Sequence, residues 1–264
     1  SVSPTVTNVT SSTADGFYNA GEVISGITVT FSEVVDVTGT PQLTLETGTT
    51  DAVLNYTGGT GTDTLSFSNY TVLAADATSD LDALSLAFNG GTIEDVSNNA
   101  ATLTLAGTSL ATNKAIVIDN TAPDTQVDSG PAILTNSTSA AFTFSANETS
   151  TFECQVDAGG YAACASPYPY TVAQGLHTFY VRATDQAGNV DATPDSHAWT
   201  VDTSGPTVLS SVRVHVSPTA QSGVKFTVTF SEPVTGVDTT DFSLTLVTVT
   251  GATVTSVTPV TGPA

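Results

Sequence analysis

Five oxygen-bearing side chains, Asp119, Asn120, Glu148, Asp185 and Asn189, fall on three separate stretches of this chain, each beside a predicted strand end. Carboxylate and amide oxygens are hard ligands, and calcium takes about six to eight such oxygens, backbone carbonyls included. Brought together, the five would make a calcium site. Kept apart, Asp119 and Asp185 would be turn formers whose side chains bond nearby backbone. Two partial sets echo the pattern: Glu33 with Asp95 and Asn99, which lacks the leading aspartate, and Asp202 with Glu232, which lacks the loop. Only the Asp119 set is complete.

The rest of the chemistry is sparse. His177, His197 and His215 lie in separate strand-like runs with no His-x-x-x-His or Gly-x-Ser-x-Gly context. His177 alternates in phase with Phe179 and Val181, the pattern of a core histidine bonded to backbone. No spacing singles out a catalytic pair among the 25 acids, so no enzyme is expected. Cys154 and Cys164 flank Asp157-Ala-Gly-Gly160, and a three-residue loop centred on Gly159 would set them directly opposite across a hairpin. That predicts a disulfide and an oxidising compartment; no second Cys or His pair accompanies them to make a metal site.

Composition narrows the partners. Twenty-five Asp and Glu against four Lys and Arg give a net charge of -21. Phosphate recognition needs a basic footprint, so nucleic acid is not an expected partner. The imbalance instead favours divalent cations wherever carboxylates cluster. No apolar run approaches the roughly 20 residues of a membrane span.

What must position the ligands is a set of strands. Ile27, Val29 and Phe31 alternate with polar residues before Ser32-Glu33, which ends the run; Phe226, Val228 and Phe230 do the same before Ser231-Glu232, and Phe142 and Phe144 before Ser145 to Glu148. A period of two puts one face in a core and the other in water, the mark of a sandwich strand. Asp185-Gln-Ala-Gly-Asn189 has a counterpart in Asp95-Val-Ser-Asn-Asn99, each with a residue tolerant of the left-handed conformation in fourth place. Two seams, Asp119 to Pro123 and Asp202 to Pro206, divide the chain into modules at 1–119, 120–202 and 203–264. Pro4 is a trace of an earlier seam, so the chain is expected to be cut from something longer. The third module is expected to be incomplete, its last strands missing or supplied by another chain, and the Ala100 to Lys114 stretch adds length before the last strand of the first. In such a sandwich the end of strand two, the loop before the last strand and the incoming linker share one pole. Glu148 and Asp185 should therefore converge beside Asp119 and Asn120.

Module two, with Phe152-Glu-Cys-Gln-Val-Asp, Cys164 and Asp185-Gln-Ala-Gly-Asn189, resembles the bacterial immunoglobulin-like repeats of large surface proteins. Val29-Thr-Phe-Ser-Glu33 and Val228-Thr-Phe-Ser-Glu-Pro233 are similar to related repeats of long extracellular adhesins. The resemblance implies an all-β array of tandem immunoglobulin-like sandwiches at a bacterial cell surface, acting as a stalk, filament or extender. The acidic joint is similar to the calcium-rigidified linkers of cadherins and adhesin extenders, though Asp-Asn-Thr-Ala-Pro matches the cadherin pattern only in part. The expected partners are neighbouring modules, fibre subunits joined by strand addition, and a surface receptor or glycan. The alternative is a carbohydrate-binding accessory region of a secreted enzyme, for which one Trp and seven Tyr offer little platform.

Overall fold

The computed structural model describes residues 2–105, 107–214, 223–245 and 250–259; His215 lies outside them. It is nearly all β, with 47% strand and 3% helix. Residues Ser1–Val201 form one compact unit and Asp202–Ala264 another.

The first unit holds two sandwiches, each with its own core. In the first, the strands are β1 (Val6–Thr10), β2 (Gly16–Tyr18), β3 (Val23–Ile24), β4 (Thr28–Thr38), β5 (Gln42–Glu46), β6 (Ala52–Gly58), β7 (Thr62–Phe67), β8 (Tyr70–Thr71), β9 (Asp82–Ala87), β10 (Thr92–Glu94) and β11 (Ile116–Ile118). The main sheet runs β1-β4-β7-β6-β5-β9, with β10 on the far half of β4. Val6 and Val9 at one end of that path share a core with Ala83 and Leu86 at the other, so the sheet curls over itself. Register shifts between Thr30 and Val35 and between Tyr56 and Gly58 mark the bulges where it bends. The expected alternation holds in β4, where Val29 and Phe31 are buried. Its expected end does not. β4 continues through Ser32 and Glu33 to Thr38, because Val35 re-enters the core after the bulge and Thr38, Val37 and Asp36 pair with Thr92, Ile93 and Glu94. The Ala100 to Lys114 insertion contains a single helical turn, α1 (Leu110–Asn113), anchored by the fully buried Leu110.

The second sandwich places β12 (Thr125–Ser129), β14 (Ser139–Ala146) and β17 (Tyr168–Thr171) in one sheet. Facing it are β13 (Leu134–Thr135), β15 (Thr151–Val156), β16 (Ala162–Cys164), β18 (Gly175–Thr184) and β19 (Asp195–Val201), in the order β13-β19-β18-β15-β16. Two sheets of this order, closed over Phe142, Phe144, Phe179, Val181, Trp199 and Val201, make an immunoglobulin-like sandwich. Alternation along β18 is as read from sequence, with Phe179, Val181 and Ala183 inward. At the sandwich corner, β12 is tied by carboxylates to the last strand and to the loop before it. Thr125 N–H donates to Asp191 Oδ2 (3.2 Å) and Val127 N–H to Asp195 Oδ2 (2.7 Å).

Cys154 and Cys164 form the expected disulfide, with Cα atoms 5.7 Å apart. The expected register is corrected. Cys154 pairs with Ala162 and Cys164 with Phe152, so the bridge joins diagonal neighbours. The reason is that Asp157, not a glycine, takes the left-handed conformation (φ 53°), and Gly159 N–H closes the turn on Val156 O at 3.1 Å. The hairpin therefore centres one residue before Gly159.

In the second unit, β20 (Val208–Arg213) pairs with β21 (Phe226–Phe230). The alternation of Phe226, Val228 and Phe230 does not produce a buried face: Phe226 is 57% exposed, and no described residue of this unit is buried. Two strands lack the area to cover one another's apolar side.

Candidate metal centre at the linker

The linker residue Asp119 follows β11, which pairs in parallel with β2, and its N–H continues that ladder to Tyr18 O (3.0 Å). Glu148 sits in the loop just past β14. Asp185 directly follows β18 and opens the loop that leads toward β19. One ligand oxygen from each of Asp119, Glu148 and Asp185 lies within 4.8 Å of the others, and among the described residues no other group of three or more His, Cys, Asp or Glu comes so close. The three converge at the pole where antiparallel topology places them. Beside them is a hollow of about 180 Å³ lined by Phe17, Asp119, Glu148, Thr149 and Gln186.

Hydrogen bonds fix two of the three carboxylates. Asp185, largely buried, accepts the Asn189 N–H at Oδ1 (2.8 Å) and Asn189 Nδ2 at Oδ2 (2.7 Å). Gly188 supplies the left-handed turn (φ 89°) as expected. Asp119 Oδ1 accepts the Thr121 N–H (2.9 Å). Both aspartates are thus turn formers and cluster members at once, since an ionised carboxylate has about four acceptor positions. Glu148 accepts no such bond through its carboxylate in the described network. Its pKa is raised above the ordinary carboxylate value, first by partial desolvation and then by the negative fields of Asp119 and Asp185. Within the first unit, the two Lys and Arg side chains are committed elsewhere: Lys114 to Asp15 (3.0 Å) and Arg182 to Glu153 (2.8 Å). The cluster's charge is therefore not balanced by either of them.

Asn120 and Asn189 stand differently from the reading that made both ligands. Asn120 turns away toward the first sandwich: Oδ1 accepts the Ala20 N–H (2.6 Å) and Nδ2 donates to Leu73 O (3.0 Å) and Asp76 O (2.7 Å). Asn189 Nδ2 donates to Asp119 O (2.9 Å), and Asn19 Nδ2 reaches Asn189 Oδ1 at 3.5 Å. These amides act as clasps, one on each side of the linker. Nothing in the sequence marks Asn19, Phe17 or the Leu73 to Asp76 loop for this role, because their place depends on contacts far along the chain.

The partial sets stay partial. Asp95 repeats the Asp185 loop in detail, accepting Ser97 N–H (2.7 Å), Asn99 N–H (2.8 Å) and Asn99 Nδ2 (2.7 Å), with Asn98 left-handed at φ 62°. Glu33 lies inside β4 and does not join Asp95 in a three-acid group. In the second unit Asp202 Oδ1 accepts the Ser204 N–H (3.0 Å), and Asp202 and Glu232 likewise fall outside any such group among the described residues.

Histidine and aromatic side chains are also engaged. His177 lies between the Asp157 carboxylate and Ala173 O, and His197 Nε2 meets Pro131 O at 2.9 Å. The His177 side chain is 12% exposed and bonds backbone as expected, and it meets a carboxylate as well. Tyr168 stacks toward Phe179 in the core, and Arg182 covers the Tyr161 ring at 4.2 Å.

No protein-family model matches the chain, and no curated protein does. Among solved structures, the fibronectin(III)-like modules of Clostridium thermocellum CbhA are similar over 74% of this chain and 93% of theirs, at 18% identity and TM-score 0.31. A tetra-tandem repeat from the extending region of a large adhesion protein is similar over 78% of this chain and 50% of that one, at 19% identity and TM-score 0.28. The FN1–FN3 domains of chicken CNTN1 are similar over 74% of this chain and 66% of theirs, at 8% identity and TM-score 0.27. Likenesses at these TM-scores assign no role.

Proposed function

We propose that this chain is a non-catalytic structural segment of a bacterial cell-surface protein, in which consecutive sandwiches form a stalk or extender and calcium stiffens the joint at Asp119. The observation that carries the reading is the convergence of Asp119, Glu148 and Asp185 on one linker, with oxygen atoms within 4.8 Å. Three carboxylates repel one another unless a cation or proton is shared between them, and a hard divalent ion suits an all-oxygen set. Asp119, Glu148 and Asp185 would hold such an ion, and its charge would lower the Glu148 pKa that desolvation and the two aspartates now raise. Bound there, it would link the end of one sandwich to two loops of the next. The extracellular setting agrees with the disulfide. The carbohydrate-binding alternative finds less support, since Tyr168 and Tyr161 are engaged within the sandwich.

Titration calorimetry and melting with and without chelator test this. Calcium at a hundred times its Kd should raise stability by about 2.7 kcal/mol. For a single sandwich of about 100 residues that corresponds to roughly 10–20 °C in Tm. The response should vanish in the Asp119→Ala, Asp185→Ala double variant. A Tm indifferent to chelator, with no binding heat, would remove calcium from the proposal.

A further inference from the structure

We propose that His177 is a pH-dependent clasp, tying the Cys154–Cys164 hairpin to β18 when its ring carries a proton on both nitrogens. The geometry is specific. His177 Nδ1 lies 2.8 Å from Asp157 Oδ2 and Nε2 lies 2.9 Å from Ala173 O. Both partners are acceptors, and a neutral imidazole has only one N–H to give, so only the imidazolium satisfies both. Asp157 is the left-handed residue of the hairpin turn, and it is bonded to β18 in two further ways and to β15 in one. Its N–H donates to Thr178 O (2.8 Å), its Oδ1 accepts the Thr178 N–H (2.8 Å), and its own carbonyl accepts Gln155 Nε2 (2.7 Å), which steadies the turn. The ring also packs against the Trp199 indole of β19, centroids 5.4 Å apart, a position that favours a cation.

The groups facing His177 are therefore Asp157 from the hairpin, Ala173 O from the loop before β18 and Trp199 from β19; the charge among them is that of Asp157. Its hydrogen bond is the main cause that raises the His177 pKa, with burial opposing it and Ala173 O assisting. For Asp157, burial works to raise the pKa, but the hydrogen bonds from His177 and Thr178 outweigh it and hold the carboxyl below its usual value. The raised histidine contributes stability that is complete below about pH 6.5 and is lost as pH rises through its folded value. The depressed aspartate contributes stability present above about pH 3.9 and lost as pH falls through its own. The clasp is fully closed between those limits and loosens toward alkaline pH.

The test is an NMR titration of the His177 ring in the whole chain, with thermal melts of the wild type, His177→Gln and Asp157→Asn at acid and alkaline pH. His177 should titrate above about 6.5, with a lower midpoint in Asp157→Asn. The Tm advantage of wild type over His177→Gln should be largest near pH 5.5 and shrink by pH 9. A wild-type midpoint at or below 6.5, or a Tm difference equal at both pH values, overturns the proposal. If His177→Gln does not fold, the wild-type midpoint and its response to Asp157→Asn decide.

Discussion

Replacing Phe142 with alanine is expected to destabilise the second sandwich by about 3–5 kcal/mol and to leave the first nearly untouched. Phe142 is fully buried, and its ring stacks on Phe179 with centroids 4.0 Å apart and planes 7° from parallel. Trp199 and His197 meet it edge-on at 5.2 and 6.0 Å. It therefore joins the two sheets, since Phe142 stands on β14 and the three others on β18 and β19. Truncation removes the transferred apolar area and leaves a cavity walled by rings that cannot all collapse into it, and each aromatic pair adds about 0.5–1.5 kcal/mol beyond area. The first sandwich is packed differently, with Val29, Leu43, Leu45, Leu65 and Ile93 fully buried and no contact to this cluster. Calorimetry should show one transition moving down while the other stays. A loss under about 1 kcal/mol, or equal shifts of every transition, would mean that Phe142 does not carry the second core.

How far the sequence reaches can be judged from particular residues. Strand alternation was legible wherever a full sandwich buries the inward face: Val29 and Phe31, Phe142 and Phe144, Phe179 and Val181. It misled at Phe226, where the same alternation stands on a two-stranded sheet and the side chain is 57% exposed. Pattern reports which residues could share a face, whereas burial needs an opposing layer. The convergence of Asp119, Glu148 and Asp185 was legible because topology alone puts those strand ends at one pole. The roles of Asn120 and Asn189 were not, since a side-chain amide chooses among acceptors by contacts such as Asp76 O, which is 44 residues away in sequence from Asn120. The one-residue shift of the hairpin had the same origin. Asp157 takes the left-handed turn position because β18 supplies partners for its backbone and carboxylate, a tertiary preference that overrides the local claim of Gly159.

The two matched loops allow the calcium reading to be separated from simple turn chemistry. Asp95→Ala and Asp185→Ala should each cost roughly 2–4 kcal/mol, because each removes a largely buried carboxylate and strands the N–H groups it accepts. For Asp95 these are Ser97 N–H, Asn99 N–H and Asn99 Nδ2; for Asp185 they are Asn189 N–H and Nδ2. In the absence of calcium the two variants should therefore look alike in kind, each weakening the sandwich that contains it. Added calcium should then divide them. Asp95 belongs to no group of three acids among the described residues, so Asp95→Ala should retain the full calcium-induced rise in Tm. Asp185→Ala loses a ligand as well as a turn and should lose most of that rise. Asn189 links the two effects, because its Nδ2 bonds both Asp185 and Asp119 O; without the carboxylate, the grip on the linker also slackens. Equal calcium responses in the two variants would show that Asp185 is only a turn residue, and that the acids at this joint hold no shared ion.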